Sequence, residues 1–259
     1  MKKPLVAYAC IAMLAYAFLS GCAGVTPAPD PIIEPMHTAE TVIKENVTYP
    51  IDVYDPWEGF NRRMYRFNFY FDKYVFLPVV GGYETITPDV VQTGISNFFA
   101  NIGDVFNLTN NLFQLKGKPA LNTTGRLVIN TTIGIGGLFD WATPMGIDRE
   151  EEDFGQTLGH YGVGSGPYLV LPLAGPSNLR DGSGLAIDYA TRLVLMAAID
   201  PYKNCSGKDA RTIEAILLAL EAIDKRHNVN FRYYETGSPF EYALVRFLYN
   251  ELRKIQIAQ

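Results

Sequence analysis

Three cysteines in 259 residues are few, and their positions make them fewer. Cys10 and Cys22 sit in an N-terminal stretch that reads as a secretion signal, which leaves Cys205 alone, so no intramolecular disulfide can staple the chain. Histidine is as scarce. His37, His160 and His227 are far apart in the sequence, and neither CxxC nor HExxH occurs, so no metal-ligand set is expected. Basic charge is short too: 22 Lys and Arg against 27 Asp and Glu give a net −5, which makes no electrostatic case for nucleic acid. Strand-like alternation and repeat periods are missing. Beyond the N-terminus no apolar run reaches the roughly 18 residues needed to cross a bilayer. Apolar residues, by contrast, make up 48% and charged residues only 19%, below the usual share of about a quarter. The interior is well supplied, with apolar surface left over for a partner or a bilayer.

The N-terminus carries the clearest address. Lys2 and Lys3 precede an apolar core from Leu5 to Leu19, the layout of a signal peptide. Leu19-Ser20-Gly21-Cys22 resembles the bacterial lipobox, in which the chain is cut before a cysteine whose thiol is acylated. Residues 1–21 are therefore expected to leave, with Cys22 as the point of lipid attachment. Ala23 follows where a retention signal would place Asp, so the outer membrane is the expected destination. The mature chain would lose Lys2 and Lys3, and its charge becomes 20 − 27 = −7. Residues 22–50, with Pro27, Pro29, Pro31, Pro35 and Pro50, read as an extended tether. Cys205 has no neighbouring His or basic cluster to activate it as a catalytic thiol.

The folded domain is expected over residues 51–236, followed by an amphipathic helix at 237–259. Asp55-Pro56-Trp57-Glu58 combines a cap, a first-turn proline and an early acid, and predicts a helix to about Phe76. Nine of its 20 residues are aromatic. Trp57, Phe60, Met64, Phe67, Phe71 and Tyr74 form one stripe, with Tyr65, Phe69, Tyr70 and Phe76 off it. Such a helix is buried on two sides, or has one face on the core and the other at lipid headgroups. On the second reading Trp57, Tyr65, Phe69 and Tyr70 are candidate membrane-interface residues. Thr87-Pro88-Asp89 repeats the start signal, and Val91, Ile95, Phe98, Ile102, Phe106 and Phe113 keep helical spacing, with a break expected at Gly103-Asp104. From Leu127 to Phe139 the chain is uncharged and holds three glycines, which suits close packing or partial membrane insertion. The run Asp148 to Asp153 reads as a solvated acidic face. Helices are further expected at Ala186–Ala198 and Lys208–Arg226. Ser238-Pro239-Phe240-Glu241 reads as a capping box opening the last one, with Phe240, Leu244, Phe247, Leu248 and Leu252 on one face. The class is all-α with one irregular insert.

That insert, Leu158 to Gly184, is the oddest stretch. From Gly159 to Gly184 it has seven glycines and three prolines in 26 residues, with Arg180 and Asp181 its only full charges. An apolar, irregular segment needs partners for its backbone, so it packs against something or lines a cavity. It offers little chemistry. Gly162-Val163-Gly164-Ser165-Gly166 lacks the spacing of a nucleophile elbow. A Ser165/His160/Asp153 triad would crowd onto one short loop. Pro167-Tyr168-Leu169 follows the glycines where a phosphate cradle needs a helix N-terminus. His160 and Tyr161 read as a structural pair, and Arg180-Asp181 as a local ion pair or turn clamp.

Two signatures resemble a known family. Asp55-Pro56-Trp57-Glu58-Gly59-Phe60-Asn61-Arg62 with Phe67-Asn68 looks like the opening signature of the MlaA (VacJ) outer-membrane lipoproteins. Leu158-Gly159-His160-Tyr161-Gly162-Val163-Gly164, then Gly166-Pro167-Tyr168, Leu171-Pro172 and Arg180-Asp181, looks like that family's central signature. The resemblance covers about residues 50 to 235. It implies a ring-like helical domain in the inner leaflet of the outer membrane, with a central amphipathic passage for misplaced phospholipids. It also implies a trimeric porin and a soluble periplasmic lipid carrier as partners, with no cofactor and no catalytic residue. Gly162, Gly164, Gly166, Pro167 and Tyr168 are then candidates for the passage or its support. A structural lipoprotein that scaffolds a porin, and a lipid-acting hydrolase using Ser165 or His160, are the alternatives.

Overall fold

A computed structural model describes residues 53–199, 206–236 and 238–259. The lipobox with Cys22, the Pro-rich tether and Cys205 lie outside the described residues. The chain is mainly helical. Helix α1 (Glu58–Phe71) continues through a π-helical turn (Asp72–Phe76) into α2 (Leu77–Ile86). Then follow α3 (Asp89–Phe113), α4 (Gly117–Thr132), a 3₁₀ turn (Thr143–Met145) and α5 (Phe154–His160). The strands β1 (Tyr168–Leu171) and β2 (Gly175–Asn178) precede α6 (Leu179–Ile199), α7 (Gly207–His227) and α8 (Glu241–Ala258).

The first helical stretch thus runs past the expected Phe76. Pro78 lies in the first turn of α2. A proline lacks the N–H and crowds the carbonyl four residues back, and the π turn just before it absorbs that mismatch. No break occurs at Gly103-Asp104, where α3 is continuous. Asp55 is not the cap of α1 and Ser238 does not form a capping box. The helices begin at Glu58 and Glu241, behind Trp57 and Phe240. Both acids are drawn elsewhere: Asp55 and Glu241 are ligands of buried side chains described below.

The insert is more ordered than its glycines suggest. β1 and β2 form an antiparallel hairpin, with Tyr168 opposite Asn178 and Leu171 opposite Gly175. Helix α6 starts at Leu179, not Ala186, because Asn178 Oδ1 accepts from Asp181 N at 2.8 Å and serves as its cap.

Packing partners close a circuit. α1 packs on β1, β1 pairs with β2, and β2 contacts α8. α8 packs on α5, α5 on α3, α3 on α7 and α7 on α2, which leads back to α1. The hydrophobic core is small. It centres on Tyr65, Tyr168, Val170, Tyr242 and Val245, where α1, the hairpin and α8 meet.

Candidate functional site

The helices are turned opposite to the expected stripes. In α1 the buried residues are Asn61, Tyr65, Asn68 and Phe69, with Asp72 just beyond. Tyr65 is 1% exposed and Phe69 9%, whereas Trp57 and Phe67 are each 45% exposed. Tyr65 and Phe69 are therefore core residues, not membrane-interface residues, while Trp57 and Tyr70 do face outward. In α3 the buried positions are Gln92, Phe99, Asn101, Asp104, Asn107, Asn110 and Asn111. In α4 they are Ala120, Thr123, Arg126 and Asn130. Val90, Val91, Leu112, Phe113, Leu121 and Val128 on these helices are exposed. α8 shares the pattern in part, with Glu241, Arg246 and Arg253 buried beside Tyr242, Ala243 and Val245 while Leu248, Leu252 and Ile255 are exposed. Hydrophobic periodicity found the faces and assigned them the wrong way round, because the inward polar groups have partners that a sequence does not display.

Those partners are specific. Asp104 accepts from Arg126 Nε at 3.2 Å, Arg149 Nε at 3.0 Å and Asn107 Nδ2 at 3.0 Å. Arg126 also donates to Thr143 Oγ1, Ile147 O and Asp140 Oδ2. Burial alone would raise the Asp140 carboxyl, but hydrogen bonds from Thr143, Arg126 and Asn130 outweigh it and hold the group well below the usual carboxylate range. The Asp148–Asp153 run is no simple solvated face. Arg149 reaches Asp104, and Glu152 takes Gln114 Nε2 at 2.7 Å and Lys116 Nζ at 2.8 Å. Asp153 forms the capping box of α5 with Gln156.

Around the hairpin, side-chain amides stand in for a third strand. Asn61 donates to Tyr168 O at 3.0 Å and accepts from Val170 N at 2.9 Å. Two helical turns later, Asn68 donates to Leu171 O and accepts from Leu173 N at 2.8 Å. The second pair steadies Leu173, whose φ of 64° is unusual for a branched residue. Asp55 takes Asn61 Nδ2 at 2.7 Å, Tyr242 OH at 2.5 Å and Arg246 at 3.0 Å. Glu241 accepts from Tyr65 OH, Tyr234 N, Thr236 N and Thr236 Oγ1. Burial, reinforced by the Glu241 carboxylate, pushes the Tyr65 hydroxyl far above its ordinary range, so it stays a donor. Tyr168 is 1% exposed within this cluster. It supports the hairpin and does not line an open surface.

The glycine loop between α5 and β1 is exposed. Tyr161 and Val163 face outward, and so do Gly162, Gly164 and Gly166, while Ser165 and Pro167 are half-buried. Gly162 (φ 83°) and Gly166 (φ 66°) hold left-handed backbone that only glycine adopts readily. Gly164 has neither that constraint nor any neighbour within 4 Å of where a Cβ would stand. Ser165 O accepts from Arg180 N, Pro167 O from Leu179 N and Val163 O from Arg180 Nη1. Tyr161 OH donates to Phe113 O at 2.5 Å, tying the loop to the exposed end of α3, and His160 packs its ring edge-on against Tyr161. The Asp153 carboxylate needed for a hydrolytic triad is held by Arg253 and by the backbone N–H of Gln156.

Among the described residues no helix is long and apolar enough to cross a membrane. The described residues present a small aromatic core, a polar interior between α3 and α4, aliphatic and aromatic outer faces and an exposed glycine loop.

Comparisons with known proteins agree on a family. The model of the MlaA lipoprotein family matches residues 53–256. An uncharacterized protein of Rickettsia bellii (strain RML369-C) is 36% identical over 209 residues, covering 80% of this chain and 78% of that one. The intermembrane phospholipid transport system lipoprotein MlaA of Escherichia coli (strain K12) is 40% identical over 134 residues, 50% of this chain and 53% of the relative. The match thus spans about half the length of that relative. A solved structure described as "Structural basis for maintenance of bacterial outer membrane lipid asymmetry" superposes with a TM-score of 0.63 at 31% identity. It covers 79% of this chain and 100% of that one.

Proposed function

This chain belongs to the MlaA lipoprotein family, and from that premise we propose that it maintains outer-membrane lipid asymmetry by moving misplaced phospholipids from the outer leaflet toward the periplasm. On this reading Cys22 carries the lipid anchor and the helical domain sits in the inner leaflet. A trimeric porin holds it there, and a soluble periplasmic carrier receives the lipid.

The observation that carries the reading is the reversed amphipathicity of α3 and α4, together with the aliphatic and aromatic side chains that α1 and α8 turn outward beside their core residues. Burial of apolar side chains stabilises a fold in water by roughly 25 cal/mol per Å². A chain that turns Val90, Leu121, Val128, Leu252 and Ile255 outward while burying asparagine and arginine gives up much of that stabilisation, unless hydrocarbon covers the outer face. The polar interior suits the second half of the task. A phospholipid crosses a bilayer slowly because its charged headgroup must be stripped of water. A ring of helices with polar inner faces and an exposed rim of small residues can keep the headgroup hydrated while the acyl chains stay in lipid. No covalent step is required, in keeping with relatives named as transport lipoproteins. Gly162, Gly164 and Gly166 form the exposed rim in this proposal, and Pro167 and Tyr168 are its support.

Deletion should raise surface-exposed phospholipid, and the intact gene should restore asymmetry. A protein that only scaffolds a porin would leave the lipid level unchanged. Gly164→Leu is the cleanest local test, because that position tolerates a side chain in both space and backbone. It should raise surface phospholipid at normal protein level, and unchanged asymmetry would remove the loop from the passage.

A further inference from the structure

Arg253 lies on α8, far from the glycine loop in sequence, yet it bonds the cap of α5, which leads into the loop, and Asp181 of α6, beside the residue that braces the loop. Its Nη1 and Nη2 fork onto the two Asp153 oxygens at 2.7 and 2.8 Å. Asp153 caps α5, the helix that leads into the loop. The Nε of Arg253 donates at 2.8 Å to Asp181 Oδ2, which also takes Tyr249 OH and Asn178 Nδ2. The other Asp181 oxygen holds Arg180 Nε at 2.8 Å, and Arg180 bonds the loop carbonyls of Ser165 and Val163. One guanidinium therefore joins the helix before the loop to the residue that clamps the loop.

The surrounding backbone is shaped for this. A Cβ on Gly155 would stand 2.6 Å from Asp181 Oδ1 and 2.9 Å from Arg253 Nη2, and one on Gly159 would stand 3.0 Å from Arg180 Nη1. Two glycines one turn apart on α5 thus admit the charged chain against the helix. Arg253 is also the cation among three acids. Asp188 accepts from Phe154 N at the start of α5 and feels both Asp153 and Arg253. Without Arg253 the Asp153, Asp181 and Asp188 carboxylates would keep only the Arg180–Asp181 pair, and their repulsion would loosen the start of α5, the helix that leads into the loop, from α6.

We propose that Arg253 is a positioning residue for lipid transfer: by bridging Asp153 and Asp181 it fixes the spacing of α5 and α6, and so the shape of the 161–167 loop. The functional half of this rests on the reading of that loop as the rim of the passage. The test uses the full lipoprotein in outer membranes, with a nitroxide on Val163→Cys in a Cys205→Ser background, and the same strains assayed for surface phospholipid. Arg253→Gln should mobilise the label and raise surface phospholipid toward the deletion level, and Arg253→Lys, which keeps the charge but not the fork, should fall between. Val245→Ala, a cavity in the same helix, is the control for general destabilisation and should leave the label at parental mobility. Parental mobility in Arg253→Gln, or equal mobilisation by Val245→Ala, overturns the positioning role whatever the lipid assay reads. A mobile label with parental surface phospholipid upholds the positioning role and overturns the reading of the loop as part of the passage.

Discussion

The two sides of the molecule solve burial differently. Where α1, the hairpin and α8 meet, the interior is aromatic: Tyr65 and Tyr168 each pack edge to face on Tyr242 at 5.8 and 6.0 Å, and the Tyr65 and Tyr242 hydroxyls reach Glu241 and Asp55. Where α3 and α4 meet, the interior is made of amides and ions, with Asp104 and Arg126 at its centre and few apolar side chains beside them. The first side stays together by excluding water from large rings, with hydrogen bonds keeping their orientation. The second has no such reserve and depends on its ion pairs and amide hydrogen bonds, with the buried Asn101 and Asn111 oxygens left without a protein partner. Both turn aliphatic groups outward. Only the first would be expected to hold together in water without a bilayer.

Substitutions can break this contrast. Asp104→Ala should have the largest effect, since it removes the buried carboxylate that Arg126, Arg149 and Asn107 share and leaves Arg126 with Asp140 as its remaining acid. Losing one partner of a buried ion pair costs about 3–5 kcal/mol, so denaturant unfolding in detergent should show a loss of that size. Tyr65→Phe removes one of the four donors to Glu241. Hydrogen bonds to charged groups are worth roughly 1.5–3 kcal/mol, and the ring packing survives, so a smaller loss is expected in the same measurement. A Tyr65→Phe effect equal to that of Asp104→Ala would erase the distinction. Leu121→Gln with Val128→Gln on the outer face should change unfolding in detergent by no more than about 0.5 kcal/mol. It should nonetheless weaken retention of the folded domain on lipid vesicles, and retention at the parental level would leave the α4 face outside the bilayer contact.

Much of this was legible in the sequence, for identifiable reasons. Helix positions follow from local spacing, and the two signature stretches around Asp55 and Leu158 are dense with residues whose roles are structural and exacting. Asn61 and Asn68 pair with the hairpin backbone, and Arg180 and Asp181 clamp the loop. What the spacing could not give was the sense of each face. The pattern Asn61, Tyr65, Asn68, Asp72 is as periodic as the aromatic stripe beside it, and which one turns inward depends on partners such as Arg226, which holds Asp72 from more than 150 residues away. The start of α6 was hidden for another reason. Gly182 and Gly184 are poor helix formers, but Gly184 is where α5 presses in, with Gly155 N 2.3 Å from the place a Cβ would occupy. The hairpin was hidden because Gly175-Pro176-Ser177-Asn178 has no strand preference of its own.

The asparagine pairs on β1 have one more consequence. A sheet with a bare rim is a template onto which a second chain can add its own strand, and proteins crowded in a membrane plane meet one another often. Asn61 and Asn68 occupy the outer rim of β1, while Pro176 and the docked α8 close that of β2. The one sheet among the described residues is therefore finished on both sides, and it offers neighbouring copies no strand to extend.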